Sequence, residues 1–347
     1  MMQDLSSLLR LLSRGRPTGR LEGVAGIILA AGFGRRMGDL TRTTPKPLLP
    51  VLNCPLFGWN VAQLREHGIQ AIIANTHYLS SAFEGVQRVI CDTGIDLCLE
   101  NETELSGPFG GVLACSAAAR DADTFVVFAG DGFYDTDIGS IIDAHRETAA
   151  DLTIGVSDVS DGSRYGVLEV GDDNFVVGMV EKPAGIGAVA TASCGVYVVS
   201  AGLAARMLGA SRPLDWIDVV TALLEKRERV AVARVNSWTD VGSQPDLLSL
   251  NLSMLDSVYL SRVATRSGDL CDAELWVQGP LPGHIGAHLQ GTVLLGERTF
   301  IDPTAKIRNS VIGPRARVGE FANVVNSVVL PGASVLANQV VANAIVQ

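Results

Sequence analysis

Four stretches of this 347-residue chain place charged residues in settings that could do chemistry. The first is Ile27 to Pro50, I-I-L-A-A-G-F-G-R-R-M-G-D-L-T-R-T-T-P-K-P-L-L-P. A short apolar run breaks there into Gly32-Phe33-Gly34, a turn that can leave backbone amides bare. Arg35, Arg36, Arg42 and Lys46 follow within twelve positions, opposed only by Asp39. In a chain of formal net charge −10, that density of positive charge beside a glycine turn points to an anion site, with a polyphosphate as the anion. The other three stretches are Gly130-Asp131, Glu181-Lys182-Pro183 and Trp238-Thr239-Asp240-Val241-Gly242. Two carboxylates from separate strand ends can share a hard divalent cation, as Mg²⁺ requires. Lys182 can hold a second phosphate. Such a set suits in-line displacement at phosphorus, where positioning and charge stabilisation do most of the work and no protein nucleophile is needed. Consistently, the chain has no G-x-S-x-G and no Cys/His pair of catalytic type.

Each piece alone has a plainer reading. Asp131 could close a turn or cap a helix, Glu181-Lys182 could be a solvated ion pair, and Asp240 could cap Val241-Gly242. The glycine turn does not fit a dinucleotide fingerprint: its spacing is G-x-G-x-x-x-G, and Asn53 rather than an acid lies about twenty residues on. It is not a Walker loop, because G-x-x-x-x-G-K-[ST] is absent.

The elements that must position these residues alternate in type. Strand patterns at Val24–Ala31, Gln70–Ala74, Ile95–Leu99, Thr124–Phe128 and Leu152–Val156 alternate with helical patterns at Leu56–His67, Ser80–Cys91, Gly110–Ala119 and Ile138–Thr148. That alternation predicts an α/β, Rossmann-like domain with a mixed, mainly parallel sheet. Ligands bind such sheets at the carboxyl ends of strands, where Gly32–Lys46 and Asp131 fall. Farther on, Tyr165–Val170 and Phe175–Pro183 read as a hairpin around Asp172-Asp173-Asn174, and Cys194–Val199 and Val230–Val235 as strands. Trp216–Lys226 and Pro245–Val258 read as helices. From about Gly283 the pattern changes. Leu295, Ile301, Ile307, Ile312, Val318, Val324, Leu330 and Val335 recur mostly every six residues. A hexapeptide period predicts a β-helix, here of roughly three coils of about 18 residues. The expected organisation is an N-terminal helix and linker over 1–23, a main α/β domain over 24–250, a connecting helix and linker over 251–282, and the β-helix over 283–347.

Hydrophobic content of 47% and charged content of 18% suit an ordinary globular protein with a large core. The acidic balance argues against a nucleic-acid partner, and no apolar run approaches the ~20 residues of a membrane span. Cys54, Cys91, Cys98, Cys115, Cys194 and Cys271 form no C-x-x-C pair and read as buried free thiols of a reducing, cytoplasmic compartment. His284 and His288 lie among Gly and Pro, without a convincing metal-binding helix. The amphipathic Leu5–Leu12 segment reads as a packing or oligomer-contact helix, since its arginines follow rather than precede the apolar residues.

Leu29–Met37 (L-A-A-G-F-G-R-R-M) with Pro45-Lys46-Pro47 resembles the signature of the sugar-1-phosphate nucleotidylyltransferases, the NDP-sugar pyrophosphorylases. Gly130-Asp131 with His145 downstream, Tyr165-Gly166, Glu181-Lys182-Pro183, Gly195-Val196-Tyr197 and Trp238–Gly242 resemble further landmarks in the same order, and the hexapeptide tail resembles that of long members. The resemblance covers about residues 24–345. It implies condensation of an NTP with a sugar 1-phosphate to give NDP-sugar and pyrophosphate, with Mg²⁺ as cofactor. It implies that Arg36, Lys46, Asp131 and Lys182 are catalytic. Leu29, Ala31, Gly32, Gly34, Arg36, Lys46, Glu102, Gly110 and Gly111 would bind nucleotide. Gly166, Glu181, Lys182 and Gly195 would bind the sugar phosphate, and Asp131 and Asp240 the metal. Arg35 and Arg42 would be peripheral. It also implies a left-handed parallel β-helix serving homo-oligomerisation. The chain departs from the usual pattern at Ser193-Cys194-Gly195 and at Gly107-Pro-Phe-Gly-Gly111. Acidic Glu100-Asn-Glu102-Thr-Glu104 resembles guanylyl-type members, which gives a slight lean to GTP and mannose-1-phosphate-like substrates. A thymidylyl or uridylyl transfer to glucose 1-phosphate or a related sugar or cyclitol phosphate stands as the alternative. So does a catalytically silent regulatory subunit that binds nucleotide-sugar, although the full charge set weighs against silence.

Overall fold

The computed structural model describes residues 5–14, 19–184, 189–270, 272–280 and 288–347. The expected linker residues 15–18, Cys271 and His284 lie outside the described residues.

Among the described residues eleven strands frame the main domain. They are β1 (Val24–Leu29), β2 (Ala71–Thr76), β3 (Asp96–Asn101), β4 (Thr124–Ala129), β5 (Gly132–Asp135) and β6 (Leu152–Val159). They continue with β7 (Gly166–Val170), β8 (Val176–Glu181), β9 (Ala190–Ser200), β10 (Val230–Arg234) and β11 (Ser237–Asp240). Nine of them form one sheet. Its main path runs β8-β7-β9-β4-β1-β2-β3, with β6 branching off β9 and β10 pairing with β6. β4, β1, β2 and β3 are parallel, and β10 is parallel to β6. β9 runs antiparallel to β4, β6 and β7, and β7 and β8 form the expected hairpin. The sheet is therefore mixed, and parallel ladders do not outnumber antiparallel ones among the described residues.

β1 shows why a central strand needs an apolar run. Val24 and Ile28 enter one core, and Ala25 and Ile27 enter the other. Side chains of a strand alternate between faces, so both faces are dry only if the run is continuous. Helices α1 (Ser6–Arg14), α2 (Leu56–Glu66), α3 (Phe83–Cys91), α5 (Ile138–Thr148) and α8 (Gln244–Leu255) pack into the first core. Helices α4 (Pro108–Ser116), α6 (Ala201–Met207) and α7 (Trp216–Glu225) pack into the second. Leu8, Leu11 and Leu12 of α1 are 0 to 1% exposed, which at about 1.5–3 kcal/mol per buried leucine makes α1 part of the core rather than an appendage.

The C-terminal stretch forms the parallel β-helix. Lys306 pairs with Asn323 and Asn323 with Val340, while Arg317 pairs with Ser334 and Val311 with Val328. Each of these steps is 17 residues rather than the expected 18, whereas the first steps, Asp272 to Gln290 and His288 to Lys306, are 18. The buried series explains the difference. Ile312, Val318, Val324, Val329, Val335 and Val341 point inward, and Leu330, assigned there by the six-residue period, is only partly buried. One wall in three is a residue short. Asn309, Asn326 and Asn343 mark that corner at φ 44°, 46° and 50°, a left-handed conformation that asparagine tolerates. Asn326 Nδ2 donates to Asn343 Oδ1 at 3.3 Å, and Ser310 Oγ accepts from the Ser327 amide at 3.1 Å inside the same corner. Thr265–Leu270 and Asp272–Val277, within the stretch expected to be a connecting helix and linker, are strands that continue this sheet.

A small hairpin joins the two halves. Pro50-Val51 pairs with Cys54-Pro55, and its tip residues Leu52 and Asn53 sit at φ 49° and 61°. Asn53 Nδ2 donates to Gln278 Oε1 at 2.9 Å and to the Ile312 carbonyl at 3.2 Å. Gln278 Nε2 donates to the Leu52 carbonyl, Asn251 Oδ1 accepts from the Leu52 amide, and Ser7 Oγ donates to the Asn53 carbonyl. The β-helix, α1 and α8 thus grip a turn that begins four residues after Lys46. Among the described residues no helix is long and apolar enough to cross a membrane. The five described cysteines are free, but Cys91 and Cys98 are exposed, contrary to the expectation that all are buried.

Candidate active site

A cleft of about 590 Å³ opens at the carboxyl ends of β1, β2 and β4. Leu29, Ala31, Gly32, Gly34, Arg36, Lys46, Glu102, Asp131, Gly166, Glu181, Lys182, Gly195 and Asp240 all line it. Segments spanning more than two hundred positions of sequence therefore meet in one place. The glycine turn leaves β1 and enters a 3₁₀ turn at Arg35. Gly34 has φ +63°, and a Cβ there would lie 2.9 Å from Lys46 Cβ. Its lack of a side chain lets the turn close over the lysine. Lys46 is 6% exposed, and its Nζ donates to Asp131 Oδ2 at 2.6 Å. A buried ammonium needs such a partner. Arg35 also lines the cleft, with its guanidinium 5.0 Å from the Phe33 ring, so it is not peripheral as expected. Among the described residues Arg42 pairs only with neighbouring Asp39, and it is 77% exposed.

Asp131 and Asp240 are brought together by a two-stranded ribbon. β5 pairs antiparallel with β11, Gly132 stands opposite Asp240, and the Val241 amide donates to the Asp131 carbonyl at 3.1 Å. Burial, and then the charge of Asp131, raises the Asp240 carboxyl above the ordinary carboxylate range, while Lys46, Arg164 and Arg36 oppose that rise. A buried carboxylate whose proton affinity is raised by a second carboxylate beside it suits a shared cation. No group of three or more His, Cys, Asp or Glu forms a metal cluster among the described residues. The donor set thus fits a hard ion that completes its shell with water and phosphate oxygens better than one needing a full protein cage.

The β7–β8 hairpin brings its open end to the cleft. Glu181 pairs with Gly166, and the Lys182 amide donates to the Tyr165 carbonyl at 2.9 Å. Lys182 Nζ contacts Glu181 Oε1 and is 58% exposed, free to swing toward a ligand. Gly195, at φ +76°, lets β9 pass Ala129, since a Cβ there would lie 2.8 Å from Ala129 Cβ. Tyr197 stacks on Trp216 at 3.5 Å, and Tyr197 Oη accepts from Ser193 Oγ at 2.9 Å. Asp215 caps α7 beside them. Burial, then the Glu181 charge among other contributions, raises its carboxyl.

At the opposite end, Asn75 was missing from the sequence-based site, because β2 runs two residues past its expected end. Asn75 Oδ1 accepts from the Ala30 amide at 2.7 Å, and its Nδ2 donates to Glu102 Oε1 at 2.5 Å. Glu102 Oε2 in turn accepts from the Ser106 amide at 2.9 Å. Gly110 and Gly111 do not line the cleft. They sit in the first turn of α4, where Cβ atoms would lie 2.7 Å from Ser106 and 2.3 Å from Asn75 Nδ2. Gly107 and Pro108 face the cleft instead. Arg164, Tyr134, Met179, Asp215 and Trp216 are among the other lining residues the sequence did not single out.

Family models give this geometry a context. The model described as nucleotidyl transferase matches residues 25–257, and that described as GlmU-like, C-terminal hexapeptide matches residues 290–347. The mannose-1-phosphate guanylyltransferase catalytic subunit beta of Drosophila pseudoobscura pseudoobscura is 28% identical over 251 residues, covering 71% of this chain and 67% of the relative. The UTP–glucose-1-phosphate uridylyltransferase of a Synechocystis strain is 27% identical over 324 residues, covering 84% of each. The mannose-1-phosphate guanylyltransferase of Mycobacterium tuberculosis is 25% identical over 297 residues, covering 85% of this chain and 81% of the relative. A crystal structure from Bacillus anthracis, of a protein assigned as a glucose-1-phosphate thymidylyltransferase, superimposes with a TM-score of 0.61 at 22% identity, covering 67% of this chain and 96% of that one. That likeness establishes the fold.

Proposed function

The chain belongs to the nucleotidyl transferase family, and on that premise we propose that it condenses a nucleoside triphosphate with a sugar 1-phosphate and releases pyrophosphate. One observation carries this reading: Arg36, Lys46, Asp131, Lys182 and Asp240, from four separate stretches of sequence, line a single cleft.

The glycine turn would present its amides to the triphosphate, and Arg36 and Lys46 would hold it and offset charge growing on the α-phosphate. Leu29, Ala31 and Gly32 would lie against the base. Lys182 would hold the sugar phosphate, and Glu181 and the Gly166 and Gly195 backbone would contact the sugar. An oxygen of the sugar phosphate attacks the α-phosphorus, and the bond from that phosphorus to the bridging oxygen breaks. The electron pair leaves with pyrophosphate, so no protein group is covalently modified. Asp131 and Asp240 would hold a divalent cation, Mg²⁺ in this proposal, whose charge would stabilise the α-phosphate and the leaving group. Lys46 would hold Asp131 oriented for that task, as the 2.6 Å contact supports.

We favour GTP and mannose 1-phosphate. Relatives named as mannose-1-phosphate guanylyltransferases support that choice, and the uridylyltransferase relative supports the alternative. Glu102 adds a physical reason: its Oε2 accepts from the Ser106 amide and hydroxyl, but its Oε1 keeps a lone pair beyond the one facing Asn75, and guanine offers N1 and N2 donors. Homo-oligomerisation through the β-helix also belongs to the proposal. Phe300, Phe321, Leu336 and Val340 are 56 to 69% exposed on its walls and corners, an apolar set that a second copy would cover. So does a cytoplasmic location, with free thiols as its support. The test is pyrophosphate release across a matrix of NTPs and hexose 1-phosphates with Mg²⁺. Release is expected to be fastest with GTP and mannose 1-phosphate. Absence of release from every pair would overturn the reading.

A further inference from the structure

Each of the two proposed metal-binding carboxylates already has a cationic side chain of its own. Asp131 has Lys46, and Asp240 has Arg164, whose Nη2 is 2.9 Å from Asp240 Oδ2. The two cations are held very differently. The Lys46 side chain is 7% exposed and locked under Gly34. The Arg164 side chain is 39% exposed and ends a short turn, Gly162–Arg164, capped by Asp161. The same guanidinium nitrogen lies 3.0 Å from Asp246 Oδ2, a second carboxylate outside the cleft lining. Asp246 is fixed in the first turn of α8, where its Oδ2 accepts from Ser243 Oγ at 2.7 Å. Gly242 makes room for the arrangement. A Cβ there would lie 2.8 Å from Arg164 Nη2, 2.9 Å from Asp240 Oδ2 and 3.3 Å from Arg36 Nη1.

We propose that Arg164 is a positioning residue that occupies Asp240 in the free protein, weakens metal binding in the absence of nucleotide, and is retained by Asp246 when it is displaced. A cation binding Asp240 must compete with a charge-assisted hydrogen bond. Lys46 leaves less scope for such exchange, since it is buried and Asp131 is its partner on the cleft floor. The pairing keeps Asp240 aimed and its charge balanced before substrate arrives. The cation then binds well only with the phosphates that come with it, and the freed guanidinium stays beside them on Asp246. This inference rests on the reading of Asp131 and Asp240 as the metal pair.

Mn²⁺ binding to the full-length protein without nucleotide, followed by electron paramagnetic resonance, tests it. Arg164→Gln is expected to bind Mn²⁺ about tenfold more tightly than the parent, the scale of one charge-assisted hydrogen bond. Arg164→Lys keeps the charge but lacks the planar fork, and is expected to fall between the two. Asp246→Asn, which leaves Arg164 to Asp240 alone, is expected to weaken binding. Asp246→Asn is expected to change nothing further in the Arg164→Gln background, because it acts through the arginine. A simple field effect of charge would make the two changes additive, and that outcome overturns the proposal, as does unchanged affinity in Arg164→Gln. Asp240→Asn separates the two levels. If it binds Mn²⁺ with GTP as the parent does, the metal-pair reading itself has failed. If it loses Mn²⁺ while Arg164→Gln matches the parent, only the role of Arg164 has failed.

Discussion

Arg36 and Arg42 lie six residues apart on the same basic loop, yet the structure gives them different prospects. Arg36 lines the cleft beside Gly242, whereas Arg42 pairs with Asp39 at the surface. Arg36→Ala is expected to lower turnover about a hundredfold, the scale of losing one transition-state donor, while Arg42→Ala should stay within about twofold of the parent. Steady-state pyrophosphate release measures both. Asp131→Asn should be at least as damaging as Arg36→Ala, since it also leaves the buried Lys46 ammonium without its partner. Residues of this kind were legible in the sequence because a charge after an apolar strand stands out. Arg164 was not, because Asp161-Gly-Ser-Arg reads as a solvated turn until Asp240 and Asp246 are seen on either side of its guanidinium. Asn75 was hidden differently: it is uncharged, it continues an apolar strand, and its role is to link the Ala30 amide to Glu102. Gly110 and Gly111 were misplaced because a glycine pair signals close approach without saying to what. Here the approach is to Ser106 and Asn75, within the fold.

At the level of elements, α5 carries a pH-dependent contribution. His145 is buried on its inner face, and its Nδ1 lies 2.9 Å from Thr153 Oγ1. Burial lowers its pKa, Asp151 opposes that shift, and neighbouring Arg146 reinforces it. The unfolded chain takes up a proton at this imidazole near pH ~6.5, and the folded chain only at lower pH, so folding stability must decline as pH falls from about 6.5 through the folded pKa. His145→Gln should remove that part of the slope. Melting temperatures of parent and variant between about pH 5 and 7.5 provide the measurement, with the difference between the two curves expected to narrow toward acid. The strand–helix alternation that placed α5 and its neighbours was readable from apolar runs. What it did not reveal was the direction of β9, because alternation alone specifies which segments are strands and not how each pairs. The six-residue period revealed the β-helix but hid the five-residue wall. A side chain such as Leu330, next to the inward Val329, satisfies hydrophobic counting equally well.

For the whole molecule, the hairpin at Leu52-Asn53 ties the β-helix to the loop that carries Lys46. Asn53 is 4% exposed, and its left-handed conformation and bonds to Gln278 and the Ile312 carbonyl both favour asparagine. Its Oδ1 is buried without a hydrogen-bond partner among the described residues, which offsets part of that gain. Asn53→Ala is expected to cost about 2 kcal/mol through lost hydrogen bonds and backbone strain, and Asn53→Gly less, because glycine tolerates the conformation. Chemical denaturation of both variants checks the order, and equal losses would show that conformation contributes little. The 17-residue coil has a consequence of another kind, for how this protein can change length. Asn309, Asn326 and Asn343 turn the same corner in successive coils, so from Asn309 onward a duplication or loss of 17 residues conserves every corner and every inward side chain. An insertion of a single hexapeptide would not, since each later residue would move one wall on and the short wall would no longer stack. Evolution of this tail, and any engineering of it, should therefore proceed in whole turns of the prism, leaving the grip on the hairpin at its near end untouched.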